Sequence, residues 1–143
     1  MERIEGFCGD NRFLSNFAPV RVVLDGVIYP TVEHAYQAAK SLDTDERIMI
    51  RKARGPGDAK RLGRIINIRP DWLDVRDRIM TELLMQKFSQ PEYMNLLLAT
   101  GDAYLEETNK WKDVYWGVCA GKGLNHLGRI LMQIRSDLRE ILQ

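Results

Sequence analysis

In "YPTVEHAYQAAKSL", residues 29–42, Glu33, Gln37 and Lys40 follow one another at spacings of four and three. On a helix they share one face. A carboxylate, an amide and a primary amine gathered there could oppose a cation, hold a water or attack an aldehyde carbon. Glu33 falls in the first turn of such a helix, where the helix dipole favours an ionised carboxylate. That suits a group facing a developing positive charge. The plainer alternative is an exposed polar stripe closed by a Glu-to-Gln contact. Against it, Ala35, Ala38 and Ala39 permit close approach of another backbone and suggest a buried helix. His34 is next to Glu33, but the only other histidine is His126, and Cys8 and Cys119 form no metal motif. No metal and no cofactor are therefore expected.

Three more stretches carry candidate ligands. In "FLSNFAP", residues 13–19, Asn16 and Phe17 read either as a core-anchored turn or as a contact to a sugar hydroxyl or base edge with the ring packed beneath. "GDAKRLGR", residues 57–64, has the wrong glycine spacing for a P-loop or a dinucleotide fingerprint. A short glycine-bounded helix beside Lys60, Arg61 and Arg64 nonetheless suits phosphate. It lies in a basic run, residues 51–69, where Arg51, Lys52, Arg54, Lys60, Arg61, Arg64 and Arg69 face Asp58 alone. The run is either a solvated face or a local anion site. "WKDVYWGVCAGKGLNHLG", residues 111–128, sets Trp111, Asp113 and Trp116 before Gly117, Gly121 and Gly123. That is either a hydrophobic lid or a stacking wall for a flat heterocycle, approached closely by glycine backbone. Tyr36 and Asn125 complete the candidate substrate contacts.

The elements that must hold these residues are legible from turn and cap signals. "VRVVLDGVIYP" alternates around Asp25-Gly26, which predicts paired strands over 20–24 and 27–29, with "RIEGF" as a further strand. Thr31 is a plausible N-cap for a helix over 32–41. Asp43 with Glu46 resembles a capping box for a second helix, to about residue 53. A short helix follows over 57–64. Pro70 opens a long helix in which Trp72, Val75, Ile79 and Leu83 recur at helical spacing. Pro91 starts another, closed by Gly101, and "AYLEET" reads as a short strand. The Trp- and Gly-rich stretch reads as a loop. A last helix carries Leu124, Leu127, Leu131, Ile134, Leu138 and Ile141 on one stripe. The sum is an α+β fold, mostly helical, with a small antiparallel β element.

Bulk properties bound the rest. A length of 143 residues points to one domain spanning 1–143, and 45% hydrophobic content supplies one core. A net charge of +1 gives no global pull toward nucleic acid or membrane. No apolar run reaches the roughly 18 residues of a membrane-spanning helix. "MERIEGFCGD" lacks the layout of a signal peptide, so the cysteines are expected to be reduced thiols in a cytoplasmic protein.

"FLSNFAP", "YPTVEHAYQAAK", "GDAKRLGR", "WLDVRDRIM…KF", "LLATGDAYLEET" and "WG…GKGLNHLGRILMQIR" occur in that order over nearly the whole chain. Together they resemble the NADAR, or YbiA-like, family. The resemblance implies a mostly helical α+β domain that hydrolyses N-glycosidic bonds. Its members act on early riboflavin intermediates, freeing ribose 5-phosphate, or remove ADP-ribose from guanine. A small phosphoribosyl or ADP-ribosyl substrate is thus the implied partner, with ADP-ribosylated nucleic acid as a further one and no membrane. By similarity, Glu33, Trp72 and Asp113 take the family's acidic and aromatic site positions, and Lys40 matches its lysine. Arg61 and Arg64 fall where phosphate contacts are expected, and Trp72 or Trp116 where a ring would stack. Val118-Cys119 departs from the Gly-rich polar stretch of many relatives.

Overall fold

A computed structural model describes residues 2–143. Helices and short strands are mixed in an α+β fold, as the sequence implies. The chain gathers into two compact units, Asn16–Lys87 and a second made of the two ends, residues 1–15 with Phe88–Gln143.

The middle unit begins with a hairpin, β2 (Pro19–Leu24) and β3 (Val27–Thr31), following a first strand β1 (Arg3–Glu5) that belongs to the other unit. Asp25 and Gly26 both adopt positive φ, 48° and 79°, the two-residue turn whose twist matches that of the strands. Val22 pairs with Tyr29 and Leu24 with Val27, and a bulge intervenes before Pro19 meets Thr31. Val20, Val22, Tyr29 and Thr31 are buried. The side-chain amide of Gln86 accepts from Val23 N–H at 2.7 Å and donates to its carbonyl at 2.8 Å, satisfying one edge of the hairpin.

Helix α1 (Val32–Ala39) packs against both hairpin strands and against α2 (Thr44–Arg51) and α3 (Pro56–Leu62). All eight of its residues are buried. Ala35, Ala38 and Ala39 have no exposed surface, which is why small side chains recur there. Asp43 accepts from Glu46 N–H at 3.0 Å, the half of the predicted capping box that starts α2. Glu46 does not return the bond; its carboxylate instead receives the Ser41 hydroxyl at 2.6 Å and Asn67 N–H. Helix α4 (Trp72–Phe88) buries Trp72, Ile79, Leu83 and Leu84.

In the other unit, α5 (Pro91–Ala99) opens on Pro91, and β4 (Tyr104–Glu106) pairs with β1. Strand β5 (Thr108–Asn109) pairs with β6 (Val118–Cys119), and β6 lies inside the stretch expected to be pure loop. Both pairs are parallel, so among the described residues the β content is one antiparallel hairpin, two parallel pairs and an isolated antiparallel bridge between Cys119 and Lys122. Helix α6 (His126–Leu142) packs on β4 and α5. The predicted stripe is buried only in its middle, at Leu127, Leu131 and Ile134. Leu124 lies before the helix at 51% exposure and Ile141 reaches 76%. Arg135 fills the gap in apolar cover: it is buried, donating to Thr100 Oγ1 at 2.7 Å and Ala103 O at 2.9 Å.

Candidate active site

Thr31 caps α1 by accepting from His34 N–H at 3.0 Å, and its hydroxyl lies 2.7 Å from His34 Nδ1. His34 Nε2 is 3.2 Å from the carbonyl of Ala53. A carbonyl can only accept, so Nε2 carries the proton and Nδ1 accepts from Thr31. Burial lowers the His34 pKa, against the opposing pull of the Ala53 carbonyl. His34 is thus a neutral strut that ties the start of α1 to the segment after α2.

With His34 turned inward, Glu33 defines the polar edge of the helix. Its N–H donates to the Asn16 carbonyl at 3.1 Å, and the residue is 8% exposed. Gln37 Nε2 donates to Glu33 Oε2 at 3.3 Å. The Glu-to-Gln contact exists, and it is buried. Lys40, at the end of α1, lies with Nζ 5.7 Å from the ring centre of Tyr36, whose ring meets Trp72 at 5.1 Å and 56°. Burial pushes the Lys40 pKa down; the Glu33 charge raises it in opposition, while Arg64 and Lys60 lower it further. A carboxylate, an amine, two rings and two further cations are therefore close enough to feel one another. Asn16 Nδ2 lies 3.6 Å from Met80 Sδ, and its Oδ1 is buried without a hydrogen-bond partner. Phe17 is half-buried beside it in sequence. Arg61 points elsewhere: it is exposed and pairs with Asp58 at 3.1 Å, and it is Lys60 that joins Arg64 in the field at Lys40.

The end-built unit carries the remaining candidates. Asp113 Oδ1 accepts from the N–H groups of Tyr115 at 3.1 Å and Trp116 at 2.9 Å. Its own N–H donates to Asn109 Oδ1, and Asn109 Nδ2 donates back to its carbonyl at 2.8 Å. The two N–H donors hold the direction of the Asp113 carboxylate. Trp116 meets Tyr115 edge-on at 4.9 Å, with His126 at 6.3 Å. Gly117 is buried where a Cβ would lie 2.1 Å from Glu107 O, so its glycine answers a local close approach. Asn125, at φ 53°, accepts from Glu107 N–H at 3.0 Å and donates to Leu105 O at 2.9 Å and Tyr104 Oη at 3.2 Å. Those bonds make it a strut between β4 and the start of α6. Among the described residues, no three His, Cys, Asp or Glu side chains gather as a metal site.

Comparison with known proteins identifies the architecture. Residues 7–139 match the family description "NADAR domain". The chain belongs to the NADAR family. It is 42% identical over 128 residues to the N-glycosidase YbiA of Escherichia coli, covering 87% of this chain and 79% of that protein. An N-glycosidase of Nostoc punctiforme is 38% identical over 135 residues, covering 90% of this chain and 86% of its own length. A riboflavin biosynthesis protein of Vibrio vulnificus is 39% identical over 132 residues, and this chain spans only 36% of it. The NMR structure of E. coli YbiA superposes with a TM-score of 0.86 at 39% identity, covering 99% of this chain and 88% of that one. Within this NADAR fold, Glu33, Lys40, Tyr36 and Trp72 are brought together with Lys60 and Arg64 in the field at Lys40, while Arg61 is paired with Asp58. Arg61 pairs with Asp58 three residues before it on α3, a spacing legible in the sequence, whereas Arg64 lies beyond the end of that helix at Leu62.

Proposed function

We propose that the chain hydrolyses the C1′–N bond of a phosphoribosyl-amine of the kind found early in riboflavin biosynthesis, releasing ribose 5-phosphate and the amine. The chain is an enzyme of the class that acts on N-glycosyl bonds; the choice of substrate is the finer step. The observation that carries it is the buried Glu33 carboxylate beside Lys40, within the field of Lys60 and Arg64. Breaking C1′–N sends the bonding pair to nitrogen, which takes a proton, and leaves positive charge on the pentose. Glu33 opposes that charge and holds the water whose oxygen ends on C1′. Lys60 and Arg64 supply the cationic grip for the 5′-phosphate. The Tyr36–Trp72 pair offers a ring face for the sugar or base. In Asp113 the two N–H donors favour an orienting role for its carboxylate.

A second reading, removal of ADP-ribose from guanine, is supported by the same pair of cations: Lys60 and Arg64 present two separate charges, one for each phosphate of a diphosphate. Incubating the protein with ribosylated substrates of both kinds and weighing the products separates the readings. Free ribose 5-phosphate supports the first and free ADP-ribose the second; neither product from any substrate removes both. Glu33→Ala is expected to abolish turnover while the far-UV spectrum and melting temperature persist, and a near-normal rate in that variant takes Glu33 out of the chemistry.

A further inference from the structure

Gly63 follows α3 with φ −61° and ψ −13°, ordinary right-handed helical values that any residue adopts. Nothing in its backbone calls for glycine, and helix propensity would favour alanine there. The reason lies across the α1–α3 contact. A Cβ at Gly63 would lie 1.9 Å from Gln37 Oε1, 2.8 Å from its Cδ and 3.3 Å from its Cβ. The space a side chain would take at Gly63 is filled by the Gln37 amide.

That amide is held in an arrangement that does not serve folding alone. Gln37 is 4% exposed, its Nε2 donates to Glu33 Oε2 at 3.3 Å, and its Oε1 is buried with no hydrogen-bond partner. Turning the amide over would press its oxygen against the carboxylate and remove the donor from Glu33, so the assignment follows from the chemistry of the pair. A buried acceptor without a partner is unfavourable. A glycine where alanine would fit the backbone is unfavourable too. Both are explained by one outcome: a donor kept on the Glu33 carboxylate.

The geometry points to Gln37 as a positioning residue for Glu33, seated in a notch that Gly63 leaves open. The Gln37 N–H fixes the direction of the carboxylate and favours its ionised form. It acts through Glu33, and its importance for turnover rests on the reading that Glu33 opposes the pentose cation. The same contact ties that carboxylate to α3, the helix that carries Lys60 and ends just before Arg64.

The direct test is the titration of the Glu33 carboxyl carbon in 13C-glutamate-labelled protein, with the resonance assigned by its loss in Glu33→Gln. In Gln37→Met and in Gly63→Ala the midpoint is expected to rise by roughly half a pH unit or more, because a donor to the charged form is lost or displaced. Unchanged midpoints in both variants overturn the inference. A thermal double-mutant cycle tests the notch separately. Gly63→Ala is expected to lower Tm in the wild-type background and to leave or raise it in Gln37→Ala, where only the Cβ remains to yield. Equal losses in both backgrounds overturn the notch. On whichever ribosylated substrate the wild type turns over, Gln37→Met is expected to lose roughly tenfold in kcat with little change in KM. Undiminished turnover in Glu33→Ala defeats the catalytic reading, while the titration still reports on the hold of Gln37 over Glu33.

Discussion

Lys40 is the residue whose chemistry is most open to its surroundings. Burial lowers its pKa and two neighbouring cations lower it further, while Glu33 pulls the other way. An amine so placed has a larger neutral fraction at pH 7 than an exposed lysine, which is what a nucleophile requires. A glycosylamine whose sugar ring has opened presents C1 as an imine. The Lys40 amine can add there, the original amine leaves with a proton, and water then hydrolyses the lysine imine. Borohydride added during turnover is expected to trap that imine as a stable pentose phosphate adduct on the Lys40 peptide, seen by mass spectrometry and missing in Lys40→Arg. Repeated absence of the adduct with active enzyme gives the step to a water held by Glu33. Burial of Glu33 and its contact with Gln37 belonged to opposite readings of the sequence, yet both hold. Helical spacing tells which residues share a face and says nothing of what covers that face. The alanines carried that information, and they carried it correctly.

At the scale of elements, α1 stays in place through its cap and its lack of bulk. Thr31 serves His34 twice, accepting from its N–H and meeting its Nδ1. Thr31→Val keeps the shape, removes the cap and leaves Nδ1 buried without its donor. The expected loss is about 1–2 kcal/mol. That corresponds to a Tm lower by roughly 3–8 °C, measured by calorimetry or circular dichroism. A Tm within error of the wild type would make Thr31 an ordinary strand end. Local signals of this kind were readable: Thr31, Asp43 and the Asp25-Gly26 turn all act over a few residues, and each stands where its chemistry predicts. The parallel pairs were not readable. Arg3–Glu5 meets Tyr104–Glu106 from the far end of the chain, and two-residue strands such as Val118–Cys119 are too short to show an alternation. The bonding of Asn125, which the sequence offered as a substrate contact, was hidden for a related reason. Its amide answers Glu107, Leu105 and Tyr104, backbone and side-chain groups that only the folded unit brings to it.

For the molecule as a whole, buried titratable groups set how stability follows pH. No described helix is long and apolar enough to cross a membrane. Lys87, near the end of α4, has no exposed surface, and burial pushes its pKa from 10.5 down to about 7. Between those values the unfolded chain binds a proton that the folded chain does not, so stability rises with pH across that window. The contribution is fully present above 10.5 and is lost as the pH falls toward about 7. His34 acts lower on the scale: its folded pKa lies below 6.5, so its contribution is present above 6.5 and is lost as the pH falls beneath that value. The two windows separate the groups experimentally. Melting temperatures of the wild type are expected to climb from about pH 7 toward 10 more steeply than those of Lys87→Met, while both proteins lose stability alike below 6.5. Parallel curves over the alkaline window would mean that Lys87 keeps its proton when folded. In that case the long α4 pattern, which already buries Trp72, Ile79 and Leu83, would have accommodated a charged end as well.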